Sequence, residues 1–284
     1  MVGASNSFNQ IIEKDLDKFM DRTKNRPIPS GKMSVNTAFI ISILLTLIGV
    51  VVLYKINPKT ALFGSIAIFI YTCLYTPLKT ITPLSVFVGA IPGAIPFMLG
   101  WVAATNNFGI EPGTLFMIQF FWQFPHFWAL GWMLHDDYKK AGINMLTTRK
   151  KDKSTAHQVV LYTIWMIVIS IFPVSGLTGD LKLSIMGAFV VLLLGLGMLY
   201  FAINLYIQMS DSAAKKTVEF LNAECVDQLC QGDMFFFSGI SLAIVDKTSR
   251  DQFWKVLEQL KSAGVKIVFD PNYRARLWDS VEDT

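Results

Sequence analysis

The feature that most constrains this chain is a series of six long apolar segments separated by polar stretches. They lie at about 35–56, 60–77, 84–104, 113–134, 158–178 and 183–208. An α-helix needs about 20 apolar residues to cross the hydrocarbon core of a bilayer, and these segments meet or approach that length. Because only 16% of the residues are charged, the sequence predicts an all-α polytopic membrane protein with about six transmembrane helices in a lipid bilayer.

The third apolar segment is interrupted by four residues that disturb helices: Gly89, Pro92, Gly93 and Pro96. We expect its helix to be kinked or broken, because proline lacks the backbone N–H that a helix uses. A break at membrane depth requires a cavity or neighbouring protein to satisfy the freed backbone groups. The segment therefore favours an internal chamber, although proline kinks also occur in spans with a purely structural role.

Basic residues are unevenly divided between the two sets of polar stretches. The N-terminal segment and the stretches after the second, fourth and sixth apolar segments contain Lys14, Lys18, Arg22, Lys24, Arg26, Lys32, Lys79, Lys139, Lys140, Arg149, Lys150, Lys151, Lys153, Lys215 and Lys216. The remaining stretches contain only Lys55, Lys59 and Lys182. By the positive-inside rule, we expect the first set and the C-terminus to be cytoplasmic, in a bacterial-type inner or plasma membrane.

Three oxygen-bearing side chains precede the first apolar segment at every fourth position: Asn9, Glu13 and Asp17. On a helix this spacing places them on one face. Such ligands suit Mg²⁺, which is bound by carboxylates together with substrate phosphates. The basic residues that follow, Arg22, Lys24 and Arg26, could neutralise a diphosphate. The alternative is a solvated helix of mixed charge beside the membrane.

A second cluster of acidic and basic residues lies in the stretch 135–157. Asp136 and Asp137 are followed by Lys139 and Lys140, and then by Arg149. Two such clusters on one membrane face could bridge a diphosphate through Mg²⁺. An ordinary charged cytoplasmic loop is the alternative.

Two further features lie within the apolar segments or at their ends. Tyr71, Tyr75 and Lys79 recur every fourth residue; the rings could flank a developing cation and the ammonium could reach a phosphate. An interfacial tyrosine belt with a snorkelling lysine is the alternative. His126 lies inside the fourth segment. It could orient a substrate, bind a metal or haem iron, move a proton, or form a hydrogen bond to another helix.

These motifs, in this order, resemble those of the protoheme IX farnesyltransferases, or haem O synthases, a branch of the UbiA-type intramembrane prenyltransferases. The runs that match are Asn9 to Pro29, Tyr71 to Lys79, Pro125 to Trp128 and Asp137 to Gly142. The resemblance covers about residues 1–217. It implies a helical bundle around a cavity that opens to the cytoplasm, and transfer of farnesyl from farnesyl diphosphate to a vinyl group of haem B.

The resemblance also implies roles for individual residues. Asn9, Glu13 and Asp17 match the first acidic motif, which binds Mg²⁺ and diphosphate, with Arg22 and Arg26 as its basic continuation. Asp137, with Asp136 beside it, matches the second acidic motif, and His126 is expected to face the porphyrin. The chain has Glu13 where the family often has Asp, and Ala141 where many relatives have a further Asp.

The expected partners follow from the same resemblance: farnesyl diphosphate, haem B, the lipid bilayer and, as a candidate, haem A synthase, with no nucleic acid. The family has nine transmembrane helices. We therefore expect this chain to lack the first two and the last of them, which would put its activity in doubt.

The segment 218–284 has a different character. Residues 233–245 and 265–269 are typical of buried strands and 248–263 has helical periodicity, which predicts a small soluble α/β segment of the βαβ type. The segment resembles part of the ribokinase-type sugar kinases, closest to 2-dehydro-3-deoxygluconate kinase, and this implies that Arg274 helps bind a sugar acid. The motifs for catalysis in that family are missing, so we interpret the whole chain as a chimera.

Four hypotheses for function result. The first is farnesyl transfer to haem B. The second is a catalytically inactive, truncated or chimeric membrane protein that only binds isoprenoid diphosphate or haem. The third is a transporter, which the lack of charge pairs in the middle of the apolar segments disfavours. The fourth, and most remote, is a sugar kinase.

Overall fold

A computed structural model describes residues 1–220, 234–238, 254, 257–258, 261–262 and 266–270. The chain divides into two compact units, Met1–Leu221 and Asn222–Thr284. In the described part of the first unit every regular element is helical. The helices are α1 (Val2–Ile12), α2 (Val35–Ile56), α3 (Pro58–Phe69), α4 (Thr76–Ile81), α5 (Ser85–Thr105), α6 (Ile110–Met133), α7 (His135–Lys140), α8 (Lys153–Ile171), α9 (Ile185–Gln208) and α10 (Asp211–Phe220).

Two irregular helical segments extend these elements. A π-helical segment, Ile70–Tyr75, joins α3 to α4, and a 3₁₀ turn, Phe172–Ser175, follows α8. With these segments included, the second and fifth spans are longer than the α-helices α3 and α8 alone. They cover Pro58–Ile81 and Lys153–Ser175.

Within the described residues, five helices are long and apolar enough to cross a membrane: Val35–Ile56, Pro58–Ile81, Ser85–Thr105, Lys153–Ser175 and Ile185–Gln208. This describes a multi-pass integral membrane protein. The sequence predicted six such helices, and the one that does not meet the criterion of apolar composition is α6, the fourth predicted span. α6 is as long as the others, with 24 residues, but Gln119, Gln123 and His126 lower its hydropathy.

The surfaces of the outer helices fit a lipid environment. In α2 only 11% of the most apolar stretch is buried, and in α9 only 17%. Large apolar side chains such as Leu47, Ile48 and Leu196 are about half exposed. Because lipid tails are as apolar as these side chains, such a surface is stable in a bilayer, although in water it would aggregate.

The third span, α5, is one continuous helix, so of the two predicted outcomes the break is wrong, and the kink stays a prediction. Pro92 and Pro96 lie inside it, and proline is tolerated in membrane helices where neighbours complete the packing. Here the neighbour is α6: Gln123 Nε2 donates to the Ala90 carbonyl at 2.9 Å. A Cβ on Gly93 would overlap Gln123 Oε1, so the glycine permits this contact.

At the end of the bundle opposite the acidic motif, Asn57 joins α3 to α5. Its Oδ1 accepts from the Thr60 N–H at 2.8 Å, and its Nδ2 donates to the Val102 carbonyl at 3.0 Å. Asn57 is buried, so both bonds are shielded from water. It caps the N-terminus of α3 and fixes the turn between the first two spans.

We expect Asn57→Ala to lower the free energy of unfolding by about 2 kcal/mol, because the cap is lost and the Val102 carbonyl loses a donor. Denaturant titration in detergent, followed by circular dichroism, measures this change. The control is Asn107→Ala, at an exposed position near the same end, which should change stability by less than about 0.5 kcal/mol. An equal effect of both variants would contradict the capping role.

In the second unit the structure describes two strands, β1 (Met234–Ser238) and β2 (Lys266–Asp270), which pair in parallel with Met234 opposite Lys266. Residues 254, 257–258 and 261–262 are helical. The other residues of the predicted βαβ unit, and Arg274, lie outside the described residues. The boundary at 217 and the kinase resemblance therefore stay predictions.

Candidate active site

The first acidic motif spans the end of α1 and the turns that follow it. We predicted one helix through all three positions, but α1 ends at Ile12 and Glu13 is its C-cap. The spacing is preserved nevertheless, because the Glu13 N–H donates to the Asn9 carbonyl at 2.9 Å and the Asp17 N–H donates to the Glu13 carbonyl at 2.8 Å. Each step keeps the i to i−4 geometry of a helix. The three side chains can therefore lie along one face.

All three motif side chains are buried, and each has a partner within the bundle. Asn9 Nδ2 donates to Thr76 Oγ1 at 3.4 Å. Glu13 Oε1 lies 2.8 Å from Lys79 Nζ. Arg26 Nη1 donates to both carboxylate oxygens of Asp17, at 2.9 and 3.1 Å. Because unpaired charges are rarely buried, the Lys79 and Arg26 partners offset the cost of placing these two carboxylates away from water.

The oxygens of this motif fit a hard cation. The described residues contain no group of three or more His, Cys, Asp or Glu side chains that could hold a metal. Mg²⁺, however, needs only one or two carboxylates when substrate phosphates complete its shell. Glu13 Oε1 is buried and, among the described residues, accepts no hydrogen bond of good geometry. The Asn9 amide donates through nitrogen, which leaves its oxygen available.

The π-helical segment Ile70–Tyr75 carries the two predicted aromatic residues. π-Helical turns are rare and often occur at functional sites. The Tyr71 and Tyr75 rings lie 5.3 Å apart, and Lys79 Nζ lies 4.6 Å from the centre of the Tyr75 ring. Thr76 Oγ1 donates to the Tyr71 carbonyl at 2.8 Å. The structure thus brings Tyr71, Tyr75 and Lys79 together, with the ammonium in contact with both the Tyr75 ring and Glu13.

A cavity of about 670 Å³ adjoins this cluster. Its walls come from α1, α2, α3, the π-helical segment, α5 and α6, and they include Tyr71 and Tyr75. The lining is mostly apolar, with Ser5, Asn6 and Gln123 as polar exceptions. A Cβ on Gly89 would lie 2.6 Å from the Tyr75 ring, so the glycine allows this ring to pack against α5. The volume is in the range of small-molecule binding sites.

The second acidic motif lies on α7 and contacts the turns after the first motif. Asp137 Oδ1 accepts from the backbone N–H of Asp21 at 3.0 Å. Lys140 Nζ lies 2.9 Å from Asp21 Oδ2 and 3.6 Å from Asp137 Oδ1. The motifs therefore meet through Asp21, which the sequence analysis did not single out. Asp136 is exposed, and within the described part of the chain its carboxylate has no partner.

The Asp21 carboxylate is held in its charged form by two lysines. Hydrogen bonds from Lys24 and Lys140 lower the pKa of Asp21 to about 2, and the bond to Asp21 raises the pKa of Lys140. Because the folded pKa of Asp21 lies below the ordinary value of about 3.9, the contact favours folding above that pH and is lost as the pH falls towards 2.

We expect the Asp21 carboxyl carbon to titrate near pH 2 in an NMR experiment on the folded chain. In the variant Lys140→Met the pKa of Asp21 should move up towards its ordinary value, because one of the two hydrogen bonds is lost. An Asp21 pKa that is unchanged by Lys140→Met would mean that α7 does not contact the first-motif turns in solution.

The other predicted diphosphate ligands occupy different places. Arg26 pairs with Asp17, as described, and Lys24 pairs with the exposed Asp21 at 2.6 Å. Arg22 is exposed. Arg149 Nη2 donates to the Ile81 carbonyl at 3.1 Å, so its guanidinium caps the C-terminus of α4. Of the predicted diphosphate ligands, Lys79 and Arg26 are thus the basic residues that contact the carboxylates of the first acidic motif.

His126 does not line the cavity. Its ring stacks on Trp122, with ring centres 4.8 Å apart, whereas Gln123 and Phe127 of the same helix form the wall. The His126 Nδ1 atom is buried and has no hydrogen-bond partner among the described residues. Its predicted position facing a porphyrin stays a prediction.

Sequence reasoning missed Thr76, Thr23 and Gln123. Thr76 orients Asn9, and Thr23 Oγ1 donates to the Asp17 carbonyl at 3.0 Å. Gln123 lines the cavity and joins α5 to α6. Thr76 was detectable in principle, since it stands next to Pro77 inside the Tyr71 to Lys79 motif. Gln123 depends on a long-range contact to α5, and Thr23 depends on the turns that bring it back to Asp17; no periodicity in the sequence reveals either.

Comparison with known proteins finds a matching family, similar sequences and a similar fold. The model of the UbiA prenyltransferase family matches residues 1–223. A protein named protoheme IX farnesyltransferase from Flavobacterium psychrophilum is 68% identical over 215 residues, which are 76% of this chain and 72% of that protein. Proteins of the same name from Christiangramia forsetii and Flavobacterium johnsoniae are 65% and 62% identical, over 76% and 81% of this chain and 72% and 76% of their own lengths.

A solved structure, from work on digeranylgeranylglyceryl phosphate synthase in membranes, has a similar fold. The TM-score is 0.64 and the sequence identity is 18%, with 92% of this chain and 81% of that chain covered. At this identity the likeness concerns the fold alone.

Proposed function

Because this chain belongs to the UbiA prenyltransferase family, we propose that it transfers a farnesyl group from farnesyl diphosphate to a vinyl group of haem B, giving haem O. The relatives with 62–68% identity that carry the name protoheme IX farnesyltransferase support this reaction. Haem O synthesis provides the precursor of haem A, so haem A synthase is the partner that would take up the product.

The observation that carries the proposal is the position of the buried acidic and basic cluster beside an apolar cavity. Lys79 contacts both Glu13 and the ring of Tyr75, and Tyr75 lines the cavity. A molecule with an anionic head and a long apolar tail matches this arrangement: the head would lie at the cluster and the tail in the cavity. Farnesyl diphosphate has this shape.

The pairs within the cluster suggest how the head group is bound. In the described structure Lys79 and Arg26 neutralise Glu13 and Asp17. A diphosphate offers oxygens that compete for both cations, and Arg binds such oxygens well. We propose that the two basic side chains turn from the carboxylates to the diphosphate when substrate binds. The carboxylates of Glu13 and Asp17 then lack a positive partner, and a metal cation could take that place.

Asn9, Glu13 and Asp17 would hold Mg²⁺ in this state, with Asp137 and Asp136 as the candidates from the second motif. When bound, the ion supplies positive charge that stabilises the departing diphosphate. Lys79 and Arg26 add their charge to the same oxygens. Thr76 accepts a hydrogen bond from the Asn9 amide nitrogen, which would leave the amide oxygen for the ion.

The chemical step then follows at the boundary between cluster and cavity. The carbon–oxygen bond between farnesyl and diphosphate breaks, and its electron pair leaves with the diphosphate. Tyr71 and Tyr75 face the allylic cation with their rings, which attract positive charge. The apolar wall excludes water from it. The terminal vinyl carbon of haem B forms the new bond, and water adds to the resulting cation and loses a proton, which gives the hydroxyfarnesyl product.

The basic residues give the orientation. The acidic motif and α7 meet through Asp21 at one end of the bundle, and Lys151, in the stretch between α7 and α8, pairs with Asp211 at the start of α10 at 2.7 Å. We propose that this end is cytoplasmic, because the basic residues are concentrated there. The site would then take farnesyl diphosphate from the cytoplasmic side.

The test is product analysis with the detergent-solubilised chain, farnesyl diphosphate labelled in the farnesyl group, Mg²⁺ and haem B. We expect a labelled haem with the mass of haem O. The control acceptor is mesohaem, in which ethyl groups replace the vinyl groups, and it should remain unlabelled. No labelled haem from folded protein that binds the diphosphate would refute farnesyl transfer and favour the inactive, binding-only alternative.

A further inference from the structure

The cavity is deep as well as apolar, and its depth can be followed along the second span. Tyr75, near the diphosphate end, and Gly64 both line it. They are separated by eleven positions, which corresponds to about 16 Å of helix at 1.5 Å per residue. On α5 the wall extends from Val86 to Leu99. The cavity therefore has space for a chain of several isoprene units.

At its deep end a contact between α2 and α3 limits this space. Leu53 of α2 and Gly64 of α3 both line the cavity. A Cβ built on Gly64 would overlap Leu53 Cδ1, so the leucine side chain lies directly over the glycine backbone. Leu53 occupies this place only because position 64 has no side chain.

We propose that the Leu53–Gly64 contact forms the floor that selects the length of the isoprenoid chain. The proposal rests on the proposed function, since it assumes that the cavity holds the tail of an isoprenoid diphosphate whose head lies at Lys79 and Arg26. The bound tail extends from that fixed end, so the position of the floor determines how many isoprene units fit. A higher floor favours the ten-carbon geranyl chain, and a lower floor admits the twenty-carbon geranylgeranyl chain.

Two substitutions move the floor in opposite directions. Gly64→Ala forces Leu53 towards the cavity, and a change of one carbon in an apolar pocket alters discrimination by 10-fold or more. Leu53→Ala removes the side chain that covers Gly64 and lengthens the cavity. The double variant Gly64→Ala with Leu53→Ala gives the new methyl group space, so it should restore much of the preference for farnesyl.

The experiment measures binding of geranyl, farnesyl and geranylgeranyl thiolodiphosphates, which resist cleavage, to the full chain by calorimetry in detergent. For Gly64→Ala we expect the affinity ratio of farnesyl to geranyl to fall about 10-fold or more. For Leu53→Ala we expect the ratio of geranylgeranyl to farnesyl to rise by a similar factor. The matched control is Gly100→Ala, on α5, where an added Cβ meets nothing within 4 Å; it should leave all ratios unchanged.

The outcomes separate this proposal from the proposed function. If the affinity ratios change as expected but the wild-type chain never labels haem B, the proposed length selection is supported and the proposed reaction is refuted. If wild-type chain labels haem B and the ratios of both variants equal those of Gly100→Ala, the floor lies elsewhere and this proposal is overturned. Loss of affinity for all three analogues by the same factor would also overturn it, because a general packing defect does not discriminate length.

Discussion

Changing Asp17 to asparagine is expected to lower the rate of farnesyl transfer about 100- to 1000-fold while the chain remains folded. Asp17 is fully buried and pairs with Arg26. Asparagine has nearly the same shape and can still accept a hydrogen bond from the guanidinium, but it brings no negative charge to hold a cation. Haem O formation under saturating farnesyl diphosphate measures the effect, and size-exclusion chromatography in detergent verifies folding.

Asp15→Asn provides the matched control, because it is the same substitution two residues away. The Asp15 side chain is 69% exposed and pairs with Lys18 on the surface. Exposed ion pairs contribute little, so we expect transfer within about two-fold of wild type. Equal rates for Asp17→Asn and wild type would remove Asp17 from the proposed metal and diphosphate site.

The second large effect is expected for Lys79→Met, which should lower kcat/KM for farnesyl diphosphate about 100-fold or more. Lys79 is the side chain that links the carboxylate of Glu13 to the tyrosine-lined cavity. Methionine fills a similar volume without the charge that would attract the diphosphate. Initial rates over a range of farnesyl diphosphate concentrations give this value.

Lys79→Met alone also leaves the buried Glu13 carboxylate without a cation, which costs about 3–5 kcal/mol when one partner of a buried pair is removed. The double variant Glu13→Gln with Lys79→Met separates this effect from catalysis. We expect it to recover most of the stability but none of the transfer. Recovery of transfer along with stability would show that Lys79 only supports the fold.

The membrane helices could largely be predicted from sequence, because apolar length and charge distribution are local properties. The bounds of α2 and α9 agree with the apolar runs to within two residues. The continuity of α5 could not be predicted, since it depends on the packing of α6 against helix-disturbing residues. The π-helical segment before Pro77 also depends on the surrounding bundle, and no periodicity in the sequence indicates it.

Within the site, the spacing of Asn9, Glu13 and Asp17 predicted their common face even though the helix ends at Ile12. The pairing of each position could not be predicted, because Thr76, Lys79 and Arg26 reach the motif through tertiary contacts or a turn. For the same reason Arg149, a predicted diphosphate ligand, instead contacts the Ile81 carbonyl. Charge in the sequence indicates which residues can bind an anion, and only the fold decides which of them are placed to do so.

The most direct test of the proposed reaction is to quantify haem O and released diphosphate in the same single-turnover samples, with and without Mg²⁺. We expect the two products to appear in equal amounts and at equal rates, and only in the samples with Mg²⁺. Diphosphate released without haem O, or haem O formed in metal-free samples, would contradict farnesyl transfer by this cluster.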